Sequence, residues 1–195
     1  MAQTPARDRA RTERRILDAA LALFGERGYH GAAVPAIAQR AGVGAGTIYR
    51  HHASKEDLVN AVFRDAKTRL RAALLDGLEV QRPPASIFLD LWQRLWRFAC
   101  DAPDAFAFLE LQDHVPYLDA KSRALELEVL APIAHIARAL QQGGGLRPVP
   151  VDLMMALVWG AFAGLVKSAR MGYLTLDDER VTRAGEACWA LCAVP

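Results

Sequence analysis

Apolar residues recur at helical spacing along nearly the whole chain, and strand-like alternation is almost absent. Ile16, Ala20, Leu23 and Phe24 share one face, with Leu17 and Leu21 beside it, while Arg14, Arg15, Asp18, Glu26 and Arg27 fall largely opposite. This predicts a first amphipathic helix, stopped near Gly28, where glycine tolerates positive φ. A short helix is predicted at Val34 to Ala41, with Pro35 in its first turn where no intrahelical N–H is needed. A tight turn, Gly42-Val43-Gly44, separates it from another short helix running from Ala45 to about His51. Ser54 then opens a long helix. Its hydroxyl can cap the backbone while Asp57 reaches back, and Leu58, Val62, Ala66, Leu70, Leu74 and Leu78 repeat every four residues. Carried to Glu79, that helix would be roughly 37 Å long, enough to link two domains mechanically.

Pro83-Pro84 interrupts the pattern, and further helices are expected at about 84–100, 103–112, 119–141, 150–171 and 177–192. Pro132 should kink or split the segment 119–141. Asp177 and Asp178 suit a helix start. The longest apolar run, Leu153 to Val166, has 14 residues, short of the ~20 that cross a bilayer. It reads as a helix buried on both sides, and no membrane partner is expected. The fold class is therefore all-α.

Charge sharpens the picture once the chain is divided. Residues 1–55 hold nine Lys/Arg against four Asp/Glu, and the remainder fifteen against eighteen. A basic segment on a mildly acidic body suggests an anionic partner for one end, although a solvated arm would look similar. The start of the chain is Arg-rich and lacks the apolar core of a secretion signal. Together with an odd number of cysteines, Cys100, Cys188 and Cys192, this implies a reduced, cytoplasmic setting. Cys188 and Cys192 share a helix face, and no His or carboxylate cluster completes a metal site, so they read as buried thiols. No cofactor is implied.

Catalytic patterns fail on inspection. Gly42-Val43-Gly44-Ala45-Gly46 is rich in glycine, but a dinucleotide fingerprint would need glycine at Thr47 and a strand before it. There is no phosphate-loop lysine, no G-x-S-x-G and no H-E-x-x-H. Glu110, Asp113, Glu126 and Glu128 read most simply as solvated faces or salt-bridge partners. An enzyme is not expected.

Two short helices joined by a glycine turn behind a longer amphipathic helix make a helix-turn-helix unit, although spacing alone would also fit other small trihelical modules. The stretch RRILDAALALFGERGYHGAAVPAIAQRAGVGAGTIYRHHASKEDLVNAVF, about a quarter of the chain, resembles the N-terminal signature of the TetR family. The resemblance rests on Ala19-Ala20 with Leu23-Phe24, on Gly28-Tyr29, Ile37-Ala38 and Ala41-Gly42-Val43, then on Gly46-Thr47-Ile48-Tyr49 and Ser54-Lys55-Glu56-Asp57-Leu58. It implies a DNA-binding domain at 1–53 and a helical effector-binding and dimerisation domain at 54–195.

Tyr49 and His51 match positions that hold DNA phosphates, and Lys55 matches the lysine at the start of the fourth helix, where its charge and the helix N-terminus meet the backbone together. Thr47 can add a hydroxyl contact. Gly44, Ala45 and Gly46 fall where the recognition helix meets base edges; only Ala45, through a thymine methyl, brings a side chain to read them. Arg50 is the one long donor in that helix. The chain departs from many relatives in having Ala33-Val34 before the second helix and Gly44 after the turn valine, so it has fewer base-directed donors, and the Arg-rich arm or DNA shape could compensate.

The resemblance further implies that the last two long helices pair two subunits. Small residues Ala156, Gly160, Ala163 and Gly164 allow close approach there, and a pocket on one side of the 150–171 helix with a partner on the other would cover a helix apolar all round, as would a larger core within one chain. A small apolar or aromatic effector would then be sensed by the body, with Trp92, Trp96, Phe106, His114, His135, Met155 and Trp159 as candidate contacts. Aromatic and methionine stripes of this kind are more often core than ligand contacts. In this reading effector binding shifts the 54–79 helix and releases the operator; a chain that activates transcription, or has lost DNA binding, remains the alternative.

Overall fold

The computed structural model describes residues 5–111 and 115–194. Among the described residues it contains nine α-helices and no strand, only a single bridge between Leu146 and Ala193. The helices are α1 (Pro5–Gly31), α2 (Val34–Ala41), α3 (Ala45–His51), α4 (Lys55–Leu75), α5 (Pro84–Asp101), α6 (Pro103–Leu111), α7 (Ala120–Gln142), α8 (Val151–Arg170) and α9 (Asp178–Cys192), with one 3-10 turn at Val115–Tyr117. The all-α class is as expected.

Four details differ from the sequence pattern. The Arg-rich start is helical from Pro5 onward; proline suits a first helical position, and Asp8 then pairs with Arg11 one turn on. Gly28 does take positive φ, at 67°, but one more helical turn follows before Gly31. The long helix ends at Leu75 instead of Glu79, because Gly77 adopts φ 66° and turns the chain. Pro132 lies inside α7, which runs unsplit from Ala120 to Gln142, so of the kink or split expected there the split does not occur.

The chain packs as two compact units. The first comprises Met1–Arg69 and Ala102–Leu125, the second Leu70–Asp101 and Glu126–Pro195. Compactness thus divides the chain differently from the 53/54 boundary, which was drawn on function. In the first unit Ile16, Ala20, Leu23 and Phe24 of α1 are fully or nearly fully buried, as are Ile37, Ile48, Leu58, Phe63, Phe106 and Phe108. Phe24 and Phe108 have ring centres 6.1 Å apart. Arg14 spans α1 and α4, reaching Asp65 at 2.7 and 3.1 Å in a two-pronged pair while also holding Asp18.

In the second unit α5 packs on α9. Trp92 donates its indole N–H to the Val181 carbonyl at 2.9 Å, and Gln93 donates to Thr182 at 2.7 Å. Gly185 is required there: a Cβ would stand 2.8 Å from the Trp92 ring. Asp177 caps α9 by accepting the Arg180 N–H. Cys188 and Cys192 are free and buried, and Cys100 is exposed.

Within one chain α8 is covered on one side, and its other side is the one expected to meet a partner. Met154, Phe162 and Val166 are buried, but Leu153 and Leu157 are 54% and 70% exposed, so this helix is not covered on both sides within one chain. By length and composition alone α8, at 20 residues, is also long and apolar enough to cross a membrane, as the core helix of many folded domains is.

Candidate functional site

The turn between α2 and α3 is built from backbone. Gly42 takes φ 63°, ψ 40°, and the Val43 N–H returns to the Ala38 carbonyl at 3.0 Å, closing α2. Left-handed geometry of this kind favours glycine. Arg15 of α1 donates to the Gly42 carbonyl at 3.1 Å, tying the turn to the first helix. Gly44 then caps α3 with no side chain, its carbonyl accepting the Thr47 N–H at 2.8 Å.

One side chain anchors α3: Ile48 is its sole buried residue, 1% exposed. Gly44, Ala45, Gly46, Tyr49 and Arg50 are all exposed, and Thr47 and His51 are partly so. A helix held by one apolar residue and otherwise turned outward can enter a groove in a partner. Arg50 donates to the Thr47 hydroxyl at 3.1 Å, which fixes its guanidinium along the outer face. Beside α3 lies an open cleft whose lining residues are Thr47, Arg50 and His51 on one wall and Asp8, Arg9 and Thr12 of α1 on the other. The Nδ1 atom of His51 is buried and has no hydrogen-bond partner among the described residues.

Lys55 stands at the first residue of α4, about half-buried. The cap forms much as the sequence predicts: the Ser54 hydroxyl accepts the Asp57 N–H, and the Asp57 carboxylate reaches back to the Ala53 N–H, each at 3.1 Å. Burial holds the Lys55 ammonium below the usual lysine pKa, with Glu56 opposing. Its Nζ lies 4.4 Å from the centre of the Tyr29 ring.

All seven residues expected to meet DNA therefore lie on α3, its cap or the start of α4. Sequence reasoning missed five residues around this face. Arg15 fell on a polar face and read as solvated. Asp8, Arg9 and Thr12 form a wall only because α1 begins early. Asn60, 3% exposed, donates to the Tyr117 carbonyl at 2.7 Å and accepts the Asp119 N–H at 2.9 Å; these partners are almost 60 positions away, and no local pattern shows them.

The expected effector contacts do not form one cluster. Trp92 is core, 3% exposed, its N–H satisfied and its ring edge-on to Phe162 at 5.2 Å. Phe106 is buried in the other compact unit. Trp96 is half-buried and donates to Asp178 at 2.8 Å. Met155 and Trp159 are half-buried on α8, and His135 is exposed. His114 lies outside the described residues. None of the six described residues lines the cleft beside α3.

An exposed recognition helix, a braced turn and an all-helical body define a helix-turn-helix protein. The model for bacterial regulatory proteins of the tetR family matches residues 16–62, and that for the tetracyclin repressor-like C-terminal domain matches residues 63–194. The chain belongs to the TetR family, whose members are DNA-binding transcriptional regulators and not enzymes.

Among curated relatives, the HTH-type transcriptional regulator UidR of Escherichia coli is 37% identical over 68 residues, 35% of each chain. The HTH-type transcriptional repressor KstR of Mycolicibacterium smegmatis is 47% identical over 75 residues, 35% of this chain and 36% of KstR. The chain thus matches about a third of the length of these relatives. Over almost its whole length it is similar to the crystal structure of a TetR-family regulator from Shewanella sp. PV-4, with TM-score 0.80, 26% identity, and 94% and 99% of the two chains covered.

Proposed function

We propose that this protein is a ligand-responsive transcriptional repressor that binds operator DNA as a homodimer and releases it when a small apolar or aromatic effector occupies the C-terminal helices. The observation that carries the reading is the exposure of α3, anchored by Ile48 alone, with Tyr49, Arg50, His51 and Lys55 around it. In this account Ala45 and its flanking glycines lie against base edges, while Thr47, Tyr49, His51 and Lys55 hold phosphates. Arg9 and Thr12 extend the phosphate-binding face from α1. Such a regulator works where its operator is, in the cytoplasm.

Pairing of two copies through α8 and α9 would cover Leu153, Leu157 and Leu191, exposed at 54%, 70% and 77%. Gly160 and Gly164 leave open space beside them, so two backbones can approach closely. An exposed row of this kind on a water-soluble regulator is accounted for by a partner surface. Trp96, Met155 and Trp159, all half-buried, are the residues of the expected set best placed to meet an effector, and Trp92 and Phe106 serve the core.

Electrophoretic mobility shift with the DNA flanking the protein's own gene tests the reading. A shift abolished by excess unlabelled fragment and reduced by an apolar compound supports it. Absence of any shift in low salt overturns it.

A further inference from the structure

The first turn of α4 sets a problem for phosphate binding. Next to Lys55 stand two acids, Glu56 and Asp57. Carboxylates stabilise a helix N-terminus, but they repel a phosphate approaching the same place. Each is tethered. Asp57 accepts the Ala53 N–H, and Glu56 accepts a hydrogen bond from the Tyr29 hydroxyl. That bond is the chief cause holding the Glu56 carboxyl below its usual pKa, so the acid stays ionised and engaged.

Tyr29 is itself fixed. Tyr117 stacks on its ring with centres 3.9 Å apart and planes 24° from parallel, and the Tyr117 hydroxyl meets His30 Nε2 at 2.7 Å. The Phe24 ring also stacks on Tyr29, with centres 6.1 Å apart, and the Lys55 ammonium lies over the Tyr29 ring, 4.4 Å from its centre. Burial first, then the Glu56 carboxylate, raise the Tyr29 phenol well above its ordinary pKa, so it remains a donor at any working pH. A cation over an aromatic face is attracted by the ring and can still direct its N–H bonds outward.

We infer that Tyr29 is a positioning residue for DNA-backbone binding: its ring face holds the Lys55 ammonium in place, and its hydroxyl keeps the Glu56 carboxylate away from the phosphate that Lys55 meets. This rests on the DNA-binding reading above and adds to it a residue of α1 that need touch no DNA. The two roles are separable, because Tyr29→Phe removes only the hydroxyl and Tyr29→Leu removes the aromatic face as well.

The test is a fluorescence-anisotropy titration of the full chain with the shifted duplex across a salt series. Variants are Tyr29→Phe, Tyr29→Leu, Lys55→Ala, Tyr29→Leu with Lys55→Ala, and Tyr29→Phe with Glu56→Gln. Tyr29→Leu should weaken binding about two- to fivefold, the range of an exposed to partly buried cation–ring contact. It should also lower the log–log salt slope toward that of Lys55→Ala, and it should cost little more once Lys55 is already alanine. Tyr29→Phe should keep the slope and lose a smaller amount, which Glu56→Gln restores.

An equal loss from Tyr29→Leu with and without Lys55 overturns the ring's role. Failure of Glu56→Gln to restore Tyr29→Phe overturns the hydroxyl's role, and this arm stands even if the leucine variant does not fold. Failure of the unaltered chain to bind the duplex overturns the DNA-binding reading itself, a result distinct from either.

Discussion

Arg15 on α1 and Gly42 in the α2–α3 turn are joined by a 3.1 Å hydrogen bond from guanidinium to carbonyl, across 27 residues of sequence. The bond makes the angle of the recognition helix depend on α1 as well as on α2. Gly42 needs its φ of 63° to place that carbonyl, and a Cβ there would lie 2.6 Å from Arg15 Nη2.

Gly42→Ala should therefore destabilise the protein by about 1–2 kcal/mol, the cost of left-handed backbone for a residue with a Cβ. The arginine end can swing aside, so backbone strain and not the clash sets the magnitude. Gly46→Ala provides the contrast. It lies within α3 with nothing near its absent Cβ, and should leave stability unchanged or raise it by up to about 1 kcal/mol. Urea denaturation of both variants checks this.

Gly185→Ala should lower stability despite improving helix propensity. The propensity gain is at most about 1 kcal/mol, whereas overpacking a tight core contact costs about 1–3 kcal/mol. The Trp92 ring cannot retreat without breaking its bond to the Val181 carbonyl. Thermal melting should show a reduced midpoint.

His52, 4% exposed, has its pKa lowered from the ordinary 6.5, mainly by burial and against the pull of Asp57 and Glu13. The folded chain keeps it neutral over a range where the unfolded chain takes up a proton, so stability should fall as pH drops below about 6.5 and down to the folded value. Replacing His52 by Gln should remove this part of the dependence. Comparing urea midpoints for the two proteins between neutral and mildly acid pH reads the difference directly.

Leu157→Glu should convert a dimer into a monomer, as measured by sedimentation, with little change in the fold. Exposed substitutions usually alter stability by less than about 0.5 kcal/mol, and Leu157 is 70% exposed in the single chain. Unchanged mass would place the subunit contact elsewhere.

Much of this architecture was legible in the sequence because its causes are local. The α2–turn–α3 boundaries follow from Pro35, Gly42 and Gly44, and the start of α4 from Ser54 and Asp57. What escaped was set by distant partners or by a subtle stop. Arg14 meets Asp65 across 51 residues, Asn60 joins Tyr117 and Asp119, and Asp76-Gly77 ends α4 inside an unbroken apolar repeat. Helical periodicity marks which side of a helix is apolar but not what covers it. That is why Trp92 and Trp159 look alike in the sequence, although the first is core and the second half-buried on α8.

The most direct measurement is the salt dependence of binding to the duplex upstream of the gene, for the unaltered chain and for the variant carrying Lys55→Ala with Tyr49→Phe. Loss of the Lys55 charge should reduce the log–log slope by about 0.9, and loss of the Tyr49 hydroxyl should add a weakening that leaves the slope alone, both acting on all sequences alike. A flatter slope with uniformly weaker binding is the predicted result. An unchanged slope and affinity in low salt would contradict it, because the face around α3 and the start of α4 would then not be where the DNA backbone is held.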